Sequence, residues 1–395
     1  MGFILGVLTL KQKVIVIGAG IIGTSVAYYL SKKDVNVVLI DAKDIAAGTS
    51  GACDKAIMLQ SKKSGPTLAM AMKSAELYKN LEEELGEDLE YENGGGMILI
   101  NNEEELKVLY EHVQKQREAG LKVTIITGDE ARKINPNLSP KILAATWCEQ
   151  DAEVNPLKTA FAYAKAASKA NMTMHLNCKV TNLIEVNGRV IGVNTTQGEI
   201  YGDSVVLCCG VWVTSLLSSL HLEVPIMPRK GVILVTEKLP KIINCNILGG
   251  SYIVSKLQKE PPEKNPLGIG LSMGQTKSGN LLIGGSREFA GFDSSVNSFI
   301  LTEIAKKAIA AFPCLQHVNL IRSFVGFRPF TPDNLPIIGE VPTVSGLYIA
   351  AGHEGDGVAL APITGQMIAE IVTDQTTEMD LTPFHLSRFF ESFTY

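Results

Sequence analysis

Three closely spaced glycines near the start of the chain, Gly18-Ala19-Gly20-Ile21-Ile22-Gly23, carry the first chemistry the sequence offers. The first glycine of such a run makes a tight turn, the second admits a pyrophosphate against the backbone, and the third lets a helix pack on a strand. A helix beginning there presents unpaired N–H groups and the positive end of its dipole to phosphates. Asp41 follows 18 residues after Gly23, at the end of a second apolar run, where a carboxylate accepts hydrogen bonds from a ribose diol and disfavours a 2′-phosphate. The bland alternative is a glycine turn with no ligand, and the strand, helix and acid around the motif speak against it. A dinucleotide is expected, with FAD and NAD both open at this point.

Other chemistries find little support. The six histidines show no Ser/His/Asp order, no paired-carboxylate setting and no metal-ligand spacing. The seven cysteines (Cys53, Cys148, Cys178, Cys208, Cys209, Cys245 and Cys314) are scattered and form no CxxC pair, which fits a reducing cytoplasm better than a zinc or iron–sulfur site. A net charge of -5 with 19% charged residues and no block of like charges argues against a nucleic-acid or anionic-membrane surface. Residues 1–10 are apolar but too short to span a bilayer and lack the marks of an export signal, so they read as a frayed extension.

The elements that must position the glycine turn can be read from periodicity. Residues 13–17 form a short β-branched run suited to a buried parallel strand, residues 21–32 have helical spacing, and residues 35–40 make a second buried strand. Together they are a βαβ unit. Residues 66–86 and 103–118 read as amphipathic helices, the first with Leu77, Leu81 and Leu85 on one face. Residues 97–100 and 123–127 read as strands. Between 172 and 210 the pattern is that of a β-meander, with Asn187-Gly188 as the turn between 180–186 and 190–195. Residues 257–266 are polar and proline-rich, an exposed loop expected to have strands on both sides. Near the end, a buried strand at 346–351, a glycine-rich turn and an apolar helix at 358–372 repeat the first pattern, so the nucleotide-binding domain is expected to be discontinuous. At 395 residues and 46% hydrophobic, the chain has room for two domains, or for one large domain with a subdomain.

Three further segments occur in a telling order: Ala46-Ala47-Gly48-Thr49-Ser50-Gly51-Ala52-Cys53-Asp54-Lys55, then Val205-Val206-Leu207-Cys208-Cys209-Gly210-Val211-Trp212, then the run from Gly352-His353-Glu354-Gly355-Asp356-Gly357-Val358 to Pro362. With the glycine turn they resemble the D-amino-acid oxidase superfamily of flavoproteins over residues 13–372. The vicinal cysteines depart from the Ala-Ala-Gly usual in that family. The first and third segments are most similar to the branch holding hydrogen cyanide synthase, opine oxidase and D-hydroxyproline dehydrogenase subunits, with glycine oxidase and the sarcosine oxidases further off. The resemblance implies a mixed α/β fold. A Rossmann-like FAD-binding domain of the glutathione-reductase type would comprise 1–82, 151–222 and 331–395, and an antiparallel-sheet substrate domain 83–150 and 223–330. It implies non-covalent FAD, since the attachment cysteine of the sarcosine oxidases falls near Gly326.

In that family the pyrophosphate and ribityl chain run beside Gly18, Gly20, Ile22, Gly23, Thr49, Ser50, Asp54, Lys55 and Ala56. The resemblance places ribose and adenine near Asp41, Ala42 and Val180, and the far wall at Cys209, Gly210 and Trp212. The turn of Gly352, His353, Glu354, Gly355, Asp356, Gly357 and Val358 would lie over the isoalloxazine with Arg328. A helix N-terminus aimed at flavin N1 and the C2 carbonyl stabilises the negative charge of reduced flavin.

The same resemblance makes Arg328, in Val325-Gly326-Phe327-Arg328-Pro329, the holder of a substrate carboxylate through two parallel charge-assisted hydrogen bonds. The alternative is an arginine in a structural ion pair. Tyr252 would add a second bond to the carboxylate, unless it is a core tyrosine with a satisfied hydroxyl. Ala56 and Gly355 would leave room for a bulky or cyclic amine. Hydride transfer needs no protein base if the amine binds neutral; His353 would either deprotonate the amine or serve a structural hydrogen bond, the latter preferred. No lysine stands in residues 279–283, where monomeric sarcosine oxidases carry one that assists oxygen reduction. The branch implies a catalytic subunit that passes electrons to a second flavoprotein subunit and a small iron–sulfur subunit. The expected reaction is oxidation of a carboxylate-bearing amine of the proline, hydroxyproline, glycine, opine or sarcosine type. Rival readings are a simple oxygen-using oxidase, a nicotinamide-dependent dehydrogenase, and a non-catalytic FAD-binding scaffold.

Overall fold

The computed structural model describes residues 11–170, 172–258 and 267–390. The apolar start at 1–10 and most of the proline-rich stretch, 259–266, lie outside the described residues.

A six-stranded sheet forms in the order Ile337–Glu340, Leu347–Ala351, Ser204–Leu207, Lys13–Ile17, Asn36–Ile40 and Thr173–His175. All neighbours pair in parallel except the first two. Val14, Ile15 and Val16 are fully buried, as β-branched residues covered on both faces should be. One face is covered by the helices Ile21–Lys32, Pro66–Leu85, Pro156–Lys169 and Gly357–Val372. The meander of Val180–Val186, Arg189–Thr195 and Gly198–Tyr201 lies against the other face, turning at Asn187 and Gly188 with φ of +52° and +78°. The first and last strands of the 172–210 region belong to the parallel sheet instead, because Thr173–His175 and Ser204–Leu207 find partners in Asn36–Ile40 and Lys13–Ile17.

The helix Gly357–Val372 contains Pro362, which cannot donate to the Val358 carbonyl one turn earlier. The Tyr78 hydroxyl donates to that carbonyl instead, at 2.6 Å. The helix tolerates its proline because another helix satisfies the freed acceptor.

A second sheet of eight strands runs Leu320–Phe330, Met227–Lys238, Asn280–Gly284, Ser272–Gln275, Asn246–Gly249, Gly96–Ile100, Ala144–Cys148 and Val123–Thr127. It is antiparallel except where Asn246–Gly249 meets Gly96–Ile100, the seam between two chain segments far apart in sequence. The helix Ser298–Ala311 packs on one side of it. Residues 250–258 correct the expectation of strands on both sides of the proline-rich loop: Gly250–Gln258 is a helix, and a strand resumes only at Ser272. The Ser251-Tyr252-Ile253-Val254 run looks strand-like, yet Ile253, Val254 and Leu257 recur at helical spacing and pack together against the sheet.

Candidate active site

The carboxyl ends of the parallel strands face the large sheet across one cavity of about 660 Å³. This is where an open α/β sheet offers a binding crevice. Gly18 has φ +105°, and a side chain there would meet the Cys208 carbonyl oxygen at 2.7 Å. A Cβ on Gly23 would lie 1.8 Å from the Gly18 carbonyl oxygen, so this glycine serves the strand–helix contact behind the cavity. Gly20 faces the cavity itself. Asp41 accepts from the Ala19 N–H at 2.7 Å through one oxygen and from the Lys43 N–H at 2.8 Å through the other. That fixes the carboxylate and leaves each oxygen a lone pair for a diol. Ser50 Oγ takes the Ile21 N–H at 3.0 Å, while the Ile22 and Gly23 N–H groups of the first turn have no acceptor among the described residues, and Gly20, Ile21 and Ile22 line the cavity. A glycine floor, orphan helix donors and a fixed carboxylate together fit the pyrophosphate and ribose of FAD.

Along the cavity stand Ala42 and Val180 at one end, Thr49, Ser50, Asp54 and Ala56 on one wall, and Cys209, Gly210 and Trp212 on another. Tyr252, Arg328, His353, Glu354, Gly355, Asp356, Gly357 and Val358 close the far end. Gly18, Gly20, Ile22 and Asp41 complete the sequence-predicted lining. Three expected residues do not reach the wall. Gly23 is the packing glycine. Lys55 is 3% exposed and donates to Glu153 Oε1 at 2.5 Å and to the Gln275 carbonyl at 2.8 Å, since a buried ammonium must find acceptors and these lie behind the loop. Gly352, with φ +81°, makes the turn; a Cβ there would meet the Thr331 methyl at 2.7 Å.

Arg328 donates from Nη1 to the Ser286 carbonyl at 3.1 Å, and among the described residues no carboxylate lies within ion-pair distance of it. The structural ion pair is therefore not found there. The guanidinium lies in a slot made by glycine: a Cβ on Gly231, its neighbour one strand over, would be 2.0 Å from Nη1. Gly355 borders the same side chain, with room for a Cβ at 3.6 Å from Cδ. Tyr252 has no hydrogen-bond partner for its hydroxyl among the described residues, and its ring is covered by Arg287 at 3.4 Å from the centroid.

The turn over the far end is a charged lattice. Burial alone would raise the Asp356 carboxyl, but the ammonium groups of Lys256 and Lys62 reverse this and hold it at about 2. Lys62 Nζ lies 2.7 Å from Asp356 and also donates to Met58 O and Ser61 Oγ, at 2.9 Å each. Burial likewise opposes ionisation of Glu354, and Arg287, Arg328 and Arg229 together hold it below the ordinary carboxylate range. Arg229 approaches Glu354 at 3.5 Å. His353 is buried, which pushes it down to about 4 despite Asp356 nearby. Its Nε2 lies 3.1 Å from Thr364 Oγ1, and that hydroxyl donates to the Leu360 carbonyl at 2.8 Å. The bonding pattern therefore places a proton on Nε2, and burial, by lowering the ring's pKa, keeps the imidazole neutral near pH 7.

Sequence reading missed Lys62, Lys256, Arg229, Arg287 and Ser286. Gln60-Ser61-Lys62-Lys63 has the look of solvated surface, and nothing in its spacing announces a lysine 3% exposed. Lys256 sits one helical turn beyond Tyr252 and would have followed from recognising that helix. The vicinal cysteines are protonated thiols: burial pushes Cys208 well up and Cys209 to about 12.

The family model of FAD dependent oxidoreductases (DAO) matches residues 13–371. A glycine oxidase of Geobacillus kaustophilus is 29% identical, over 96% of this chain and 98% of its own length. A hydrogen cyanide synthase subunit of Pseudomonas protegens is also 29% identical, over 95% of this chain and 96% of its own. Identity does not rank the two. The solved L-proline dehydrogenase of P. horikoshii superposes with a TM-score of 0.88 at 26% identity, covering 98% of this chain and 99% of that one. In sequence, in fold and in the construction of its dinucleotide crevice, the chain belongs to the FAD dependent oxidoreductase family.

Proposed function

We propose that this enzyme oxidises an amino acid or secondary amine that bears a carboxylate, removing hydride from the carbon beside nitrogen and leaving an imine. FAD, when bound, supplies the hydride acceptor. The residues of the chain do the rest. The observation that carries the reading is Arg328, a cation at the cavity wall with a neutral hydrogen-bond partner and, among the described residues, no carboxylate within ion-pair distance. A substrate carboxylate would take the two parallel hydrogen bonds that the guanidinium can still offer, and this fixes the C–H relative to the ring. The Tyr252 hydroxyl supports a further bond, and Ala56 and Gly355 leave space for a ring or N-substituent. His353, neutral and tied to Thr364, holds the turn rather than taking a proton. The parallel sheet then serves the cofactor and the large sheet the substrate, with boundaries near 82, 150, 222 and 330.

Electrons would leave through a second flavoprotein subunit and a small iron–sulfur subunit. Likeness to a hydrogen cyanide synthase subunit supports this. Trp212 lines the cavity, is 44% exposed and stacks on Phe292, itself 54% exposed, so apolar surface borders the site where a partner would sit. The rival is direct use of oxygen, as the name of the glycine oxidase relative implies for that protein. Anaerobic titration of the yellow protein with glycine, sarcosine, both prolines, hydroxyproline and opines tests the proposal. Bleaching by one of them is expected, and a flavin that none of them reduces overturns it. Assay of the reduced protein with oxygen and with a dye, with and without neighbouring gene products, separates the acceptors.

A further inference from the structure

We infer that Asp54 receives the substrate's ammonium group opposite Arg328 and accepts the proton that the nitrogen must lose before hydride leaves the adjoining carbon. The inference rests on the amino-acid reading above and assigns the proton step that reading leaves open. Free amino acids are zwitterions, and with an aliphatic amine pKa near 10 only about one molecule in a thousand is neutral at pH 7. Hydride departure needs the nitrogen lone pair, so a site that takes the abundant form must also take a proton from it.

Besides Asp41, three carboxylates line the cavity. Asp356 is claimed by Lys62 and Lys256, and Glu354 by Arg229 and the Gly355 N–H at 2.6 Å. Asp54 alone of the three has no cationic partner among the described residues. Its Oδ2 accepts from Ser272 Oγ at 2.7 Å, and its Oδ1 has only the distant Ala56 N–H at 3.4 Å. Lys55, next in sequence, is turned away to Glu153. One carboxylate oxygen is thus held by a neutral donor while the other keeps its lone pairs for the cavity.

The placement matches a zwitterion. Residues 49–54 lie directly against the strand that carries Arg328: Thr49 Oγ1 donates to the Phe327 carbonyl at 2.6 Å, and a Cβ on Gly326 would meet the Ala52 carbonyl oxygen at 2.6 Å. Burial and the Asp54 carboxylate both raise the Cys53 thiol while the Arg328 guanidinium lowers it, so both charges act on the one side chain between them, and Ser272 meets Asp54 from the facing strand. Arg328 and Asp54 line the same cavity and present opposite charges to it, one for each end of an α-amino acid. In the step itself an ammonium N–H bond breaks, an Asp54 O–H bond forms, and the electron pair stays on nitrogen. That pair closes the C=N bond as the C–H pair departs as hydride to FAD.

The experiment is anaerobic stopped-flow reduction of the bound flavin by glycine, sarcosine and L- and D-proline, from pH 6.5 to 9.5, in the native protein and in Asp54→Asn. The native rate at low substrate should change little with pH. Asp54→Asn should use only the neutral amine, falling about 100-fold or more at pH 7 and recovering about tenfold per pH unit toward the native rate. Asp54→Glu should restore part of the loss at pH 7. A native rate that itself climbs tenfold per unit, or an Asn variant that tracks the native protein throughout, overturns the assignment. Should Asp54→Asn fail to hold FAD, the native profile and Asp54→Glu still decide. If no amine reduces the native protein, it is the amino-acid reading that fails, a different result from an altered profile.

Discussion

Gly231→Ala separates function from stability at the carboxylate clamp. The new methyl would begin 2.0 Å from Arg328 Nη1, against an ordinary contact of 3.4–4 Å, so the guanidinium must retreat by 1.5 to 2 Å, roughly the difference. The atom in the way is the free end of a long side chain, so it can swing, and unfolding free energy should change by about 1 kcal/mol or less. The cost falls on binding. A fork displaced that far keeps at most one of its two bonds to a carboxylate, and a hydrogen bond to a charged group is worth about 1.5–3 kcal/mol. That corresponds to a loss in kcat/KM of roughly 10- to 150-fold. The assay is anaerobic flavin reduction across substrate concentrations, with FAD content and chemical denaturation measured on the same preparations. Arg328→Met should lose more, and adding Gly231→Ala to it should cost almost nothing further, because both act on one guanidinium. Additive losses, or a Gly231→Ala protein with native rates, would refute the slot as the device that aims Arg328.

Three further outcomes follow from the same geometry. Lys62→Met removes the nearer of the two ammonium groups on Asp356, leaving Lys256 at 3.7 Å, and should lower unfolding free energy by about 1.5–3 kcal/mol in denaturant titrations, the worth of a hydrogen bond to a charged group. Stability should also fall in two steps on acidification, read as melting temperature. His353 protonates at about 4 when folded and at about 6.5 when unfolded, so the unfolded chain takes the proton first and stability is lost between those values. Asp356, held at about 2 against an ordinary 3.8, stabilises the fold above 3.8 and loses that contribution as pH drops through 2; His353→Gln should shrink the upper step, leaving the share of His112, which burial also pushes down, and should leave the lower step unchanged. Gly326→Ala meets backbone, the Ala52 carbonyl oxygen at 2.6 Å, which cannot swing aside, so a loss of about 1–3 kcal/mol and weaker FAD retention are expected from melting curves with and without added FAD.

What could be read from the sequence follows from how far each signal reaches along the chain. The strand Lys13–Ile17, the helix Ile21–Lys32 and the glycine turn between them fall where local periodicity and backbone freedom place them. The same holds for the Asn187-Gly188 turn and the closing helix. Pro156–Lys169 goes unassigned in the sequence reading, although Asn155 caps it, Pro156 starts it and its buried face, mostly alanine, recurs at helical spacing. Gly250–Gln258 was obscured by β-branched residues that pack well in either state. At the site, Arg328 and Asp41 lie in motifs with their own spacing, whereas Lys62, Arg229 and Arg287 owe their position to contacts across the cavity. No local pattern encodes that Arg287 covers Tyr252 or that Lys62 ends beside Asp356, nearly three hundred residues on.

The crevice draws its walls from both sheets and from stretches as far apart as Gly18 and Val358, so it exists only once nearly the whole polypeptide has been assembled. A nucleotide gripped there ties early and late parts of the chain together. It would add about 4 kcal/mol to the native state at a thousandfold excess over its dissociation constant. Vitamin supply thereby becomes a determinant of how much of the protein survives proteolysis: a cell poor in riboflavin would make the chain at the usual rate and lose more of it before it ever turned yellow.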